Sequence, residues 1–168
     1  MTTQNSMSRR SGLPTLEHRR PERLVGVGFR CWLDGFSSGN IASWETAWNL
    51  YANELGACRA RVAVQELGLW VGKIKDVSGR EITTLPHHCP GFCRDECVAI
   101  SMVAASQHKV CPAMRACAFA LIGCSDMEGL LTSTDRFAVM LDALDQRLSP
   151  NSICVVPDLA CAAGAAMH

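Results

Sequence analysis

Residues 40–56 read NIASWETAWNLYANELG, and this stretch decides the fold class of the chain. Its large apolar side chains recur at steps of three and four, which is the spacing of one face of an α-helix. They are Ile41, Trp44, Trp48, Tyr51 and Leu55. Asn40 can cap the start of this helix, and Gly56 suits its carboxyl end. The stretch therefore predicts an amphipathic helix with one buried face.

The same reasoning predicts helices on both sides of this stretch. Apolar periodicity indicates a helix from Leu24 and a helix over 57–71. Apolar content indicates a helix from Phe92 or Cys93 to about 108, and Pro112 suits the first turn of a helix that runs to about 122. A last helix is expected after a cap within Thr132–Asp135 and runs to the stop at Ser149–Pro150. Residues 72–91 are expected to form a short hairpin or an irregular loop.

This pattern, with little strand signal, predicts an all-α fold: a single-domain irregular helical bundle of five or six helices. The core is expected to be built from large apolar residues of these helices. They are Trp44, Trp48, Tyr51, Leu67, Trp70, Ile100, Val103, Phe119, Phe137 and Leu141.

The chain divides into three predicted parts. Residues 1–23 are polar and basic, with Arg9 and Arg23 at the two ends of the arginine-rich portion, and they are expected to form a flexible N-terminal arm. Residues 24–150 form the helical domain. Residues 151–168 are alanine-rich without a clear period, so a loosely ordered C-terminal tail is expected.

Composition restricts the class of protein. The chain has 168 residues, 48% hydrophobic and 19% charged, with a formal net charge of zero. This is the composition of a globular domain, and the zero charge argues against a nucleic-acid surface except through the basic arm. No apolar run approaches the roughly 20 residues of a membrane span. The N-terminus shows no secretory signal, so a reducing cytoplasmic location is expected. A protein partner is also expected.

Cysteines provide the main chemical lead. Cys89, Cys93 and Cys97 stand in four-residue steps, directly after His87 and His88. A four-residue step places side chains on one helix face, and thiolates with an imidazole are ligands for zinc or an iron–sulfur cluster. If the following two helices pack antiparallel, the far end of the second is level with the start of the first. Cys124 is then the best candidate for a further sulfur ligand.

Several alternatives stay open for these residues. The spacing differs from the common zinc and ferredoxin patterns. Free cysteine also behaves as a small buried hydrophobe, an interpretation that suits five positions in apolar surroundings. They are Cys31, Cys58, Cys111, Cys117 and Cys124. A catalytic Cys93 activated by His88 is a third possibility, although no substrate site is indicated.

Two functional hypotheses follow. The first is a small cytoplasmic helical protein with a cysteine-thiolate site that binds metal or senses redox state, in a regulatory or metal-handling role. Its residues are Cys89, Cys93, Cys97, His88 and Cys124. The second is a metal-free helical protein–protein interaction module. Nothing in the sequence identifies catalytic residues, so an enzyme is the less favoured class.

Overall fold

The structure is a computed structural model that describes residues 19–154. Six α-helices and one short 3₁₀ turn make up this part of the chain, and it contains no strand. The helices are α1 (Arg20–Ser38), α2 (Ile41–Leu55), α3 (Ala57–Val77), α4 (Arg94–Gln107), α5 (Cys111–Ile122) and α6 (Glu128–Ala143), with the 3₁₀ turn at Pro150–Ser152. The predicted all-α fold of five or six helices is confirmed.

The first three helices are joined by very short turns, because each boundary has a suitable residue. Gly39 ends α1 with a φ of 70°, a left-handed conformation that glycine adopts at little cost. Asn40 Oδ1 then accepts a hydrogen bond from Ala42 N at 3.1 Å, which confirms the predicted cap of α2. Gly56, with a φ of 81°, links α2 to α3. These turns fold α2 back against α1 and α3.

Helix α4 lies at the centre of the bundle, in contact with α1, α5 and α6. Twelve of its residues are buried, and several of these are small: Ala99, Ser101, Ala104, Ala105 and Ser106. Small side chains let the neighbouring helices approach α4 closely. Because α4 is buried on nearly all sides, its sequence shows no contrast between an apolar and a polar face. The segment that carries the predicted cysteine site therefore leads directly into the core.

The structure differs from the predictions at several element boundaries. Helix α1 begins at Arg20 with Pro21 in its first turn, where proline is tolerated, so residues 20–23 belong to the helix. Residues 72–77 continue α3, and the loop that follows is irregular rather than a hairpin. Helix α6 begins at Glu128 and ends at Ala143. The remaining arm and most of the predicted tail lie outside the described residues.

The predicted start of α6 is wrong for a physical reason. Thr134 lies inside the helix and is fully buried, where its hydroxyl donates to Leu130 O at 2.8 Å and accepts from Trp70 Nε1 at 3.0 Å. A residue type that favours caps thus serves here as a polar partner for a core tryptophan. Sequence alone does not distinguish these uses.

Most of the predicted core is buried, but two members are exposed and one is half-buried. Seven are fully buried: Tyr51, Leu67, Trp70, Ile100, Val103, Phe137 and Leu141. Trp48 and Phe119, however, are 37% and 48% exposed, and Trp44 is half-buried. Of the cysteines expected to be buried, Cys31 and Cys117 are, Cys124 is half-buried, and Cys58 and Cys111 are exposed. Trp48 lies on α2 and Phe119 on α5, and each of these helices contacts fewer helices than the central α4 does, so part of its surface faces solvent.

Candidate functional site

A buried ion pair organises the loop that carries the first cysteine. Arg30 of α1 and Glu96 of α4 are both fully buried, and Arg30 Nε donates to Glu96 Oε1 at 2.6 Å. A second bond joins Arg30 Nη2 to Glu96 Oε2 at 2.9 Å. Such a bidentate pair is strong and geometrically specific. It connects residues that are 66 positions apart in sequence.

The rest of the Arg30 guanidinium holds the loop itself. It donates to the carbonyl oxygens of Pro86, Cys89 and Gly91 at 3.2, 3.0 and 2.6 Å. Glu96 in turn accepts from the backbone N–H groups of Leu85 and Cys93, at 3.1 and 2.8 Å. Residues 85–93 therefore have a fixed backbone although they contain no regular secondary structure.

Electrostatics favours this arrangement. Burial by itself lowers the Arg30 pKa, but the hydrogen bond and negative charge of Glu96 outweigh burial and raise that pKa. The guanidinium therefore stays charged in the core. Glu96 also occupies the first turn of α4, where the helix dipole favours a carboxylate. Neither charge is left without compensation.

A second arginine, Arg80, joins the start of α4 to the end of α5. Arg80 Nη2 lies 2.9 Å from Asp95 Oδ2 in the first turn of α4, while Arg80 Nη1 donates to Leu121 O near the end of α5 at 2.9 Å. The start of α4 is thus close to the end of α5. This confirms the antiparallel packing expected from the short connection between these helices.

The thiols of the predicted ligand set contact separate carbonyl groups. Cys93 Sγ donates to Thr83 O at 3.1 Å, and Cys124 Sγ donates to Val77 O at 3.2 Å. Cys97 Sγ lies 3.9 Å from Phe92 O. Antiparallel packing therefore brings Cys124 to the correct end of the bundle, but its sulfur is turned toward α3 rather than toward Cys93.

Residues 19–154 contain no group of three or more histidine, cysteine, aspartate or glutamate side chains that could hold a metal ion. Metal binding by Cys89, Cys93, Cys97, His88 and Cys124 gains no support from this geometry and stays a prediction. Elemental analysis of anaerobically purified protein, compared with a Cys93→Ser variant, would decide it.

Cys89 has different surroundings from those of the other two clustered cysteines. It lines an open pocket of about 410 Å³, here named the histidine–cysteine pocket. The residues that line it are Arg23, Val27, Thr46, Leu50, His87, His88, Cys89, Pro90 and Phe92. Two imidazoles, a thiol, a guanidinium and a hydroxyl thus share one pocket with an apolar wall. A pocket of this size accommodates a small molecule.

The two histidines of this pocket are held differently. His87 Nε2 lies 3.4 Å from Asp34 Oδ2 of α1, and the same oxygen accepts a hydrogen bond from the buried hydroxyl of Ser43. His88 is exposed and forms no hydrogen bond or ion pair within residues 19–154. His87 is therefore positioned by the protein, whereas the ring of His88 is available to a ligand or a neighbouring thiol.

Sequence reasoning missed Arg30, Glu96 and Arg23 as parts of this site. Arg30 does carry a signal, since it stands between Phe29 and Cys31 in an apolar run. A charged residue on the buried face of a helix requires a buried partner. Its position in the run could have indicated an ion pair, although not which carboxylate supplies it.

The thiol of Cys93 is predicted to react sluggishly near neutral pH. Burial raises its pKa, because the thiolate loses solvation, and this outweighs the backbone hydrogen bonds that favour the anion. Since the thiolate is the reactive form, alkylation of Cys93 by iodoacetamide should have its pH midpoint above the ordinary value of about 8.5. Site-resolved mass spectrometry from pH 7 to pH 10 measures this midpoint.

The same residue in the urea-unfolded chain is the matched control for this measurement. Its midpoint should return to the ordinary value, because unfolding restores solvent to the sulfur. A folded midpoint at or below the unfolded one would contradict the prediction.

Comparison with known proteins adds no further assignment. No family model matches this chain, and no curated protein or solved structure shows significant similarity to it. The described part of the chain is a six-helix bundle with a thiol-bearing pocket at the start of its central helix. Within residues 19–154, no helix combines the length and apolar character needed to cross a bilayer.

Proposed function

We propose that this protein senses thiol–disulfide state through Cys89, and that it does so in the cytoplasm. The observation that carries the proposal is that Cys89 lines the histidine–cysteine pocket together with His87 and His88. A sensor thiol needs access to solvent, a nearby base and space for the reacting molecule. Cys89 is half-buried, and the pocket that it lines also has two imidazoles and a volume of about 410 Å³.

The reaction is thiol–disulfide exchange with a small disulfide. The imidazole of His88 takes the proton of Cys89, and the resulting thiolate attacks one sulfur of the disulfide. The disulfide bond breaks, so that one half remains joined to Cys89 as a mixed disulfide. The other half leaves as a thiolate and takes the proton from the imidazolium. No net electrons are needed from any other reactant.

Two other cysteines, Cys93 and Cys31, are less suited to this reaction than Cys89. The Cys93 thiol is engaged with Thr83 O, and its pKa is raised by burial. Cys31 is fully buried, and burial raises its pKa to about 11. Both features keep these thiols protonated near neutral pH. Cys89 is thus the better candidate for the thiol that reacts.

Exposure of the reduced protein to oxidised glutathione tests the proposal. The exposed thiols Cys58 and Cys111 serve as internal references, because they lie outside the pocket. We expect the mixed disulfide to form at Cys89 about tenfold faster than at either reference, since a positioned base assists its deprotonation. Peptide mass spectrometry after acid quenching gives the three initial rates.

Two controls sharpen this experiment. A His88→Gln variant keeps a side chain of similar size but removes the base, so the Cys89 rate should fall toward that of the references. A Cys89→Ser variant should leave the rates at Cys58 and Cys111 unchanged. The proposal is wrong if Cys89 in the unmodified protein reacts no faster than both references.

The alternative of a metal-free interaction module stays a prediction. Apolar side chains are exposed on α3 and α6, among them Val62, Leu69 and Val139. Nothing in the described part of the chain identifies a partner for this face, and it therefore carries no assignment.

A further inference from the structure

A second cleft lies beside α2, on the face opposite to Thr46, which lines the histidine–cysteine pocket. Half of the residues that line this cleft are tryptophans. It has a volume of about 540 Å³ and is here named the tryptophan cleft. The residues that line it are Trp32, Trp44, Glu45, Trp48, Asn49 and Val64. Three of the four tryptophans in the chain therefore meet at one surface depression.

Two tryptophans of this cleft, Trp32 and Trp44, pack with Phe36 in one aromatic group. The ring centroids of Trp32 and Trp44 are 5.6 Å apart at an interplanar angle of 42°, and Phe36 lies 5.6 Å from Trp32 and 6.0 Å from Trp44. Trp48 follows Trp44 by one helical turn and is 37% exposed. Because Trp48 is exposed and Trp32 and Trp44 are half-buried, a large aromatic surface is in contact with water.

Two indole N–H groups in this cleft form no hydrogen bond with any residue that the structure describes. They are Trp32 Nε1 and Trp44 Nε1, and both are buried. The Nε1 edge of Trp44 lies against Gly35 of α1, where a larger residue would collide with the ring. The rings are therefore held in place by packing. Their faces carry a negative electrostatic potential, which can attract a cationic ligand.

Charge in the cleft has one sign. Glu45 is the one charged residue among those that line it, it is exposed, and it has no ion-pair partner within residues 19–154. Aromatic faces and a carboxylate together attract cations that are poorly hydrated. The same aromatic group already holds one cation, since Lys75 Nζ lies 5.6 Å from the centroid of the Phe36 ring.

From these observations we infer that the tryptophan cleft binds a quaternary ammonium group. The three methyl groups of such a cation contact the indole faces, and its charge is balanced by Glu45. The group could be supplied by a free small molecule or by a trimethylated lysine on a protein. The cation chemistry is common to both sources, and the test separates them.

Titration with choline, followed by the indole N–H signals in NMR spectra, tests this inference. Single Trp→Phe variants assign the four signals. We expect those of Trp32, Trp44 and Trp48 to shift with a dissociation constant of about 1 mM. Trp70 is an internal control, because it is fully buried and its Nε1 is bonded to Thr134. Its signal should not move.

The neutral isostere 3,3-dimethyl-1-butanol has the shape of choline without the charge. The inference is supported if choline shifts the three signals and the isostere does not. It is overturned if both shift them equally, which would indicate an apolar depression only, or if choline causes no shift up to about 20 mM. A peptide with trimethyllysine that binds at least tenfold more tightly than choline, while its unmodified form does not bind, would assign the cation to a protein.

Variants at exposed positions complete the test without risk to the core. Glu45→Gln should weaken choline binding about fivefold, since it removes the carboxylate from a partly solvated pair. Trp48→Leu should weaken it about tenfold. Glu81→Gln removes the same charge from an exposed position in the loop after α3 and should leave binding unchanged. Equal binding by the Glu45→Gln and Glu81→Gln variants would overturn the assignment of Glu45.

Discussion

Replacing Arg30 with methionine is expected to lower the free energy of unfolding by about 3–5 kcal/mol, because it leaves the carboxylate of Glu96 buried without its counter-charge. Both side chains are fully buried, so solvent cannot compensate for the lost partner. The three loop carbonyls that accept from Arg30 also lose their donor. Urea unfolding followed by tryptophan fluorescence measures the change.

The pair of an exposed Arg136 and a half-buried Glu66 is the matched control. Its nitrogen and oxygen atoms are 3.1 Å apart, and the Arg136 side chain is 63% exposed. Arg136→Met should therefore cost less than about 1 kcal/mol. The double variant Arg30→Met with Glu96→Leu should recover part of the loss, since it removes the uncompensated charge. Equal costs for Arg30→Met and Arg136→Met would contradict the role assigned to the buried pair.

The same substitution should loosen the candidate site locally. Arg30 and Glu96 fix the backbone of residues 85–93, which carry His87, His88 and Cys89. In native conditions, amide hydrogen exchange in this loop should accelerate more in Arg30→Met than in Arg136→Met.

Replacing Trp70 with alanine is expected to cost about 3–5 kcal/mol, because it opens a large cavity at the contact between α1, α3 and α6. Trp70 is the largest fully buried side chain described. Its ring stacks on Phe137 with centroids 4.9 Å apart and lies 5.8 Å from Phe29. Urea unfolding followed by circular dichroism measures the loss independently of tryptophan fluorescence.

Trp48→Ala is the control for this substitution. It removes the same atoms from a side chain that is 37% exposed, so less apolar surface returns to water and no closed cavity forms. Its cost should be about 1 kcal/mol. The prediction is wrong if the two alanine variants are destabilised by the same amount.

The sequence predicts the helices that have one face in the core and one in solvent. The apolar spacing of residues 41–55 predicts α2 correctly, although its apolar face is only partly buried, since Tyr51 lies in the core while Ile41 and Trp48 of the same face are exposed. The bounds of α2 follow from local chemistry at Asn40 and Gly56, which needs no tertiary contact. The same is true of the turn at Gly39.

The packing of helices that contact several other helices is harder to predict from the sequence. Helix α4 is buried on nearly all sides, so it has no polar face to reveal a period. In α6, Thr134 forms a hydrogen bond with Trp70, 64 positions earlier, and this contact cannot be inferred from the four residues around it. The predicted cap there was wrong because the same hydroxyl suits both environments.

By itself, the sequence determined the helical class, the turns that fold α1, α2 and α3 together, and the spacing of Cys89, Cys93 and Cys97. Those features depend on neighbours a few positions apart. The direction of each thiol was decided by tertiary structure. Arg30 forms an ion pair with Glu96, 66 positions later, and this pair fixes the loop. In the fixed loop, Cys93 contacts Thr83 while Cys89 lines a pocket. Long-range ion pairs depend on how the helices pack, and that is a property of the whole fold.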